Sequence, residues 1–269
     1  MTDPGIHKDL LIGLPEQVAG LVKVVQENLL HVFWSERYGR ILSESDRATL
    51  NVRSIAEKLA ILRRIDPKPL VFLRPVEQRQ VGNCRDFSLL LCTLLRFQGV
   101  PARARCGFAT YFLPDHYEDH WICEIWDATH GHWVKVDAQL DALQQQVLQI
   151  NFDPLDIPKG RFIPAGVAYQ MCRKGEADPD AFGIFDMHGL AFIQGNVVRD
   201  LLALNKLEIL PWDWGWGYLT EASFENLSLF DHLAALLAAE DEAYPQLRAI
   251  YLNDPSLAPP ETPTPSVSG

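Results

Sequence analysis

A cysteine thiol attacks a carbonyl carbon as its thiolate, and a helix N-terminus, a nearby cation or an imidazole each raise the thiolate fraction. Cys84 has sequence reasons for all three. It opens the run NCRDFSLLLCTLLRFQG, in which Asn83 suits an N-cap, Asp86 sits in the first turn where it favours the helix dipole, and Arg85 is adjacent. His120 lies 36 residues further on and Asp137 another 17 beyond that. A hairpin closed at ATHG, with Trp126 paired to Gly131, sets His120 directly opposite Asp137, Cβ atoms about 4.5–5.5 Å apart. A carboxylate in that place holds the imidazole, fixes its tautomer and stabilises the imidazolium formed when His120 takes the thiol proton.

Charge supports the same residue. Between Arg47 and Arg105 there are 12 Lys and Arg against 4 Asp and Glu, a local +8 in a chain whose formal net charge is −11. The other cysteines, Cys92, Cys106, Cys123 and Cys172, read as small buried residues, the usual fate of a free thiol. An odd total of five, with no CxxC spacing, predicts neither a disulfide framework nor a four-cysteine zinc site. His116, His120 and Cys123, with His130 and His132 close by, are zinc-type ligands, but alternation along a strand turns His120 and Cys123 to opposite faces, so no metal is expected. His116 reads as a solvated loop residue and His132 as the start of a strand. Arg103 and Arg105 could meet an anionic substrate group, though pairing with the excess of Asp and Glu is the better use. Glu124 and Asp141 read as surface or supporting acids, and Trp212, Trp214 and Trp216 as packing rather than a substrate cleft.

These residues need elements to hold them. Phe87, Leu90, Leu91, Leu94 and Leu95 recur at helical spacing, and Gly99 stands where that helix stops. ARARCGF alternates as a strand, and HWICEIWD and HWVKVDA are two more. Upstream, residues 14–38 and 45–65 carry apolar residues at helical spacing and predict two N-terminal helices, joined by the proline-rich PKPLVFLRP to the cysteine helix. Downstream, residues 150–200 are rich in Pro, Gly and Asp, and two further helical stretches follow. From 253 the chain has no core-forming residues and reads as a disordered tail. The segmentation expected is 1–74 helical, 75–141 catalytic core, 142–252 a mixed extension packed on the core, and 253–269 tail.

The three blocks GNCRDFSLLLCTLLRFQGVPARARCGF, DHWICEIW and HWVKVDAQLD, in that order, resemble the core of the transglutaminase-like superfamily, a branch of the papain-like cysteine enzymes. The resemblance spans about residues 75–141. It implies an α+β fold, a nucleophile helix packed on an antiparallel sheet, with helical N- and C-terminal extensions. It also implies that Cys84 is the nucleophile, His120 the general base and acid, and Asp137 the orienting carboxylate, and it matches Gly99-Val-Pro-Ala-Arg103 to the turn after the nucleophile helix. The chain is too short for the added β-domains of animal transglutaminases, and no acidic loop suggests calcium. A second oxyanion donor beside the Cys84 N–H is open among Gln78, Gln80 and Asn83.

The expected activity is therefore cysteine-dependent acyl transfer through a thioester, by an amidase or protease if water resolves it and a transamidase if an amine does. The alternative is a catalytically silent module that keeps the fold and binds partners. The substrate is expected to be a peptide or small molecule with an amide or ester, with no cofactor. Hydrophobic residues make up 48% of 269, enough for a full core, and a pI near 5.1 opposes binding to nucleic acid or anionic membranes. No apolar run approaches a membrane span, the nearest, 227–239, being broken by Asp231 and His232, so a cytoplasmic setting is expected. The oligomeric state is not legible.

Overall fold

The computed structural model describes residues 1–214 and 226–258, apart from the side chains of Trp214 and Glu240. The fold is α+β. The chain forms two compact units that interleave in sequence, Met1–Ala104 with Ile122–Ile157, and Arg105–Trp121 with the chain from Pro158 onward.

In the first unit, the expected N-terminal helix over 14–38 is broken. α1 (Val18–Asn28) stops where the Asn28 side chain donates to Val24 O at 2.7 Å and Leu70 O at 2.9 Å and accepts from Arg74 at 2.6 Å. The next three residues extend as β1 (Leu29–His31), and a 3-10 helix covers Val32–Tyr38. The apolar run continues across all three conformations, so its periodicity cannot mark the break. The second expected helix is likewise divided, into α2 (Glu44–Ala48) and α3 (Ile55–Ile65), each opened by a serine capping box.

β1 pairs in parallel with β2 (Gln80–Gly82), Leu29 against Gln80 and His31 against Gly82. β2 runs through Asn83 into α4 (Cys84–Phe97), whose apolar residues lie inside the core against α1 and α3. Gly99, at φ +78, ends that helix as the sequence predicts. β3 (Ala102–Ala109) and β4 (Tyr117–Asp127) each pass from one unit to the other, and β5 (His132–Val136) pairs antiparallel with the 123–127 part of β4. α5 (Ala142–Val147) follows, capped by Asp141.

In the second unit the strand order is β6–β3–β4–β7–β8, with β6 (Phe162–Pro164) antiparallel to β3, and β7 (Phe182–Ile184) parallel to the start of β4 and antiparallel to β8 (Met187–His188). Packed helices complete it: α6 (Ala165–Arg173), α7 (Leu190–Leu204), α8 (Leu227–Ala238) and α9 (Tyr244–Asn253). α6 meets α8 so closely that a Cβ on Gly166 would lie 2.7 Å from Leu237 Cβ and 2.9 Å from Ala234 O, which only glycine avoids.

The first residues of the expected tail are ordered. α9 runs to Asn253, Pro255–Leu257 form a 3-10 turn, and Leu257 is buried; residues 259–269 lie outside the described residues. Trp212 is buried, as packing requires, whereas Trp216 is not among the described residues. Among the described residues no helix is long and apolar enough to cross a membrane.

Candidate active site

Cys84 is the first residue of α4 and is half-buried. Its position is fixed by reciprocal capping. The Asn83 side chain accepts from Asp86 N at 3.3 Å, and the Asp86 carboxylate accepts from Asn83 N at 3.1 Å, so two orphan backbone donors of the first turn are satisfied together. Asp86 is itself held by Lys58 of α3 at 2.9 Å and by Arg85 at 3.1 Å, all three side chains essentially sealed from solvent. Burial pushes the Lys58 ammonium below its usual range despite Asp86, so desolvation outweighs the pair. A Cβ on Gly82 would sit 2.9 Å from the same carboxylate oxygen, which explains the glycine between β2 and the cap. Arg85, expected to favour the Cys84 thiolate, also donates to Arg53 O at 2.5 Å; its guanidinium braces the loop before α3.

The basic segment is thus largely structural. Arg74 is buried and donates to Asn28 Oδ1 and to the carbonyls of Asp66 and Lys68. Arg103 meets Glu124 at 2.6 Å and lies 4.0 Å over the Trp133 ring. Glu124, read from sequence as a surface or supporting acid, is wholly buried, with Lys135 3.7 Å away as a second cation. Its partners come from two other strands, so no local pattern announces them. In the second unit Arg105 grips Asp200 through two nitrogens, each at 2.9 Å. Both arginines go to internal acids, as the charge balance predicts.

Asp137 follows β5 directly and is buried in the first unit. Its carboxylate accepts from Gln139 N at 2.9 Å, and its own N–H donates to Pro154 O at 2.9 Å. His120 is buried in the second unit with aromatic rings edge-on to it, Phe112 at 4.9 Å and Tyr111 at 5.9 Å.

The hairpin register differs from expectation by two residues. Trp126 pairs with Trp133 and Asp127 with His132, not Trp126 with Gly131. Turn chemistry decides this. Asp127 Oδ1 accepts from Thr129 N at 2.8 Å and His130 N at 3.2 Å, and Gly131 adopts φ +70, a turn conformation that cannot serve in the ladder. The pair Trp126–Trp133, rings 5.3 Å apart, sits in the same register. Continued past Cys123–Val136, that register faces Asp137 with Ile122, so direct opposition of Asp137 to His120 is not a property of this ladder. A shift of two residues preserves the face of every side chain, so the alternation argument survives while the pairing argument does not.

The three amides considered for a second oxyanion donor separate by environment. Gln78 is exposed. Gln80 is 1% exposed with neither amide atom hydrogen-bonded, and Asn83 Nδ2 is likewise buried and unbonded. Asp141, which the sequence leaves as a surface or supporting acid, caps α5 and accepts from the Tyr38 hydroxyl at 2.5 Å. That pair lines a small cleft with His31, Arg79, Phe87, Gln139 and Gln144, with room for about one water. His116 is half-buried rather than a solvated loop residue, 3.2 Å from Glu118, while His132 does begin β5. No group of three or more His, Cys, Asp or Glu among the described residues is close enough to hold a metal ion.

Residues 46–138 match the core model of the transglutaminase-like superfamily, a span that includes Cys84, His120 and Asp137. No curated protein matches the chain. A solved structure titled "a Putative Cysteine Protease from Cytophaga hutchinsonii" aligns at 21% identity over 50% of this chain, with a TM-score of 0.21, too low to transfer geometry. The alignment spans 42% of that protein's length.

Proposed function

Starting from a transglutaminase-like core at residues 46–138, we propose that this protein is a cysteine-dependent acyl-transfer enzyme. Cys84 attacks the carbonyl carbon of an amide or ester while His120 takes the thiol proton. The tetrahedral intermediate collapses to a thioester as His120 returns that proton to the departing amine or alcohol. Water or an amine, deprotonated by His120, then attacks the thioester, giving a carboxylic acid or a new amide and restoring the thiol. Asp137 keeps the imidazole in the working tautomer. The Cys84 N–H and the unbonded amide of Gln80 or Asn83 are the candidate donors to the oxyanion.

The observation that carries this reading is the environment of Cys84 beside those of the other four thiols. It opens a fully capped helix of fourteen residues and is half-buried. Cys92, Cys106 and Cys123 are fully buried. Cys172, the other half-buried thiol, is pushed up to about 11 by burial and by the Asp178 carboxylate. Iodoacetamide at near-neutral pH, with each cysteine followed by mass spectrometry, is expected to alkylate Cys84 at least about tenfold faster than Cys172. Equal rates would remove the activated thiol and leave the binding-module reading.

A further inference from the structure

Two thiols that the acyl-transfer chemistry does not use lie in van der Waals contact inside the first unit. Cys92, in the third turn of α4, and Cys123, in β4, place their sulfur atoms 3.2 Å apart, and both side chains are 0% exposed. A disulfide needs about 2.05 Å between sulfurs, so closing the bond takes a shift of little more than about 1 Å.

We propose that Cys92 and Cys123 are a disulfide-forming pair, which in an oxidising environment cross-links the helix that carries Cys84 to the central strand β4. The chemistry requires an oxidant, here a small disulfide such as oxidised glutathione. The Cys92 thiolate attacks one glutathione sulfur and expels glutathione thiolate. The Cys123 thiolate then attacks the Cys92 sulfur of the mixed disulfide and expels the second. The two protein thiol protons end on the two glutathione thiolates, so two protein thiols and one oxidised glutathione give one protein disulfide and two reduced glutathiones.

Burial sets when this happens. In the folded chain the Cys123 thiol is pushed up, first by burial and then by its hydrogen bond with Cys92, so the attacking thiolate is scarce and the oxidant has no path to either sulfur. The bond therefore forms during folding, before α4 packs, and once formed it is shielded from reductants. This is a structural cross-link rather than a fast switch, and it is independent of whether Cys84 is catalytic.

The test is refolding of the full-length chain from denaturant, once over a reduced and oxidised glutathione mixture and once over reductant, followed by non-reducing peptide mapping. The expected product of the first arm is a Cys92–Cys123 linked peptide two hydrogens lighter than its parts, with Cys84 still free to react with iodoacetamide. The thermal midpoint should rise by about 5–10 °C over the reduced form, and the rise should vanish in Cys123→Ala. Recovery of both thiols as separately alkylated peptides after oxidative refolding overturns the proposal. So does a dominant link to Cys84, Cys106 or Cys172, or a cross-link that lowers the midpoint. Should Cys123→Ala fail to fold, the wild-type map and midpoint decide alone.

Discussion

α4 and α7 are both sunk almost entirely into their units, yet they place polar groups differently. α4 ties Asn83, Arg85 and Asp86 together in its N-terminal cap, while Ser88 and Thr93 bond to carbonyls of their own helix and Arg96, in the last turn, donates to Ala102 O. α7 has no side-chain cap at Gly189 and carries its charge in mid-helix. There Arg199 meets Asp119 of β4 at 3.2 Å, and Asp200 meets Arg105 and the backbone N–H of Cys106 in β3. One helix gathers buried polar groups at the terminus where Cys84 stands; the other uses them as lateral ties to strands. The position of buried charge along a helix thus separates a helix whose first turn is held in place from one that braces a sheet.

The contrast can be broken or sharpened experimentally. Asp137→Asn keeps the side-chain volume but presents the wrong donor to an imidazole, and should lower acyl transfer by about 10³-fold or more. An unchanged rate in steady-state assays removes Asp137 from the mechanism. Asp200→Ala should act on stability instead. It strands a buried guanidinium and a backbone N–H and should cost about 3–5 kcal/mol in urea unfolding, while the folded fraction labels at Cys84 as fast as wild type. Slower labelling in that variant would erase the distinction between the helices.

Glu118 provides a milder test through pH. Burial, then the neighbouring Asp119, raises its carboxyl from 4.5 to about 7, even with His116 at 3.2 Å. A raised folded value means the native state binds the proton more tightly. Its contribution is complete below pH of about 4.5 and is lost as pH rises through about 7. Glu118→Gln should remove that loss, so that above pH 7 the variant is more stable than wild type by roughly 1–3 kcal/mol, measured by denaturant titration across pH 4–8. No gain at pH 8 would refute it. The smallest effect is expected for Asn83→Ala. Loss of the cap should cost about 1 kcal/mol, fray the first turn of α4 and slow Cys84 labelling severalfold at neutral pH. Labelling as fast as wild type would mean the cap serves only the helix.

The sequence makes α4 legible from cap to terminal glycine because all of its signals are local: N-cap, first-turn acid, apolar period, stop. β3, β4 and β5 are legible for the same reason, through alternation. The register between β4 and β5 is not, because it depends on Asp127 binding two turn N–H groups and on Gly131 adopting a positive φ, and ATHG allows more than one closure. β1, β2 and β6 to β8 are two or three residues long, shorter than any period that could reveal them. The burial of Glu124 and Asp200 is invisible for a third reason: their partners Arg103 and Arg105 lie 21 and 95 residues away. In the candidate site, the residue types and the place of Cys84 are readable, whereas the amides with unspent donors emerge only once burial is known.

The parallel pairing of Leu29–His31 with Gln80–Gly82 bears on how this protein can be shortened. A gene trimmed at residue 46, where the family match begins, would delete the strand that flanks the approach to Cys84, along with Asn28 under Arg74 and Tyr38 against Asp141. Such a minimal fragment would keep every residue of the family match and lose the parallel strand and side-chain ties behind α4, so a test of the proposed activity has to include residues 28–45.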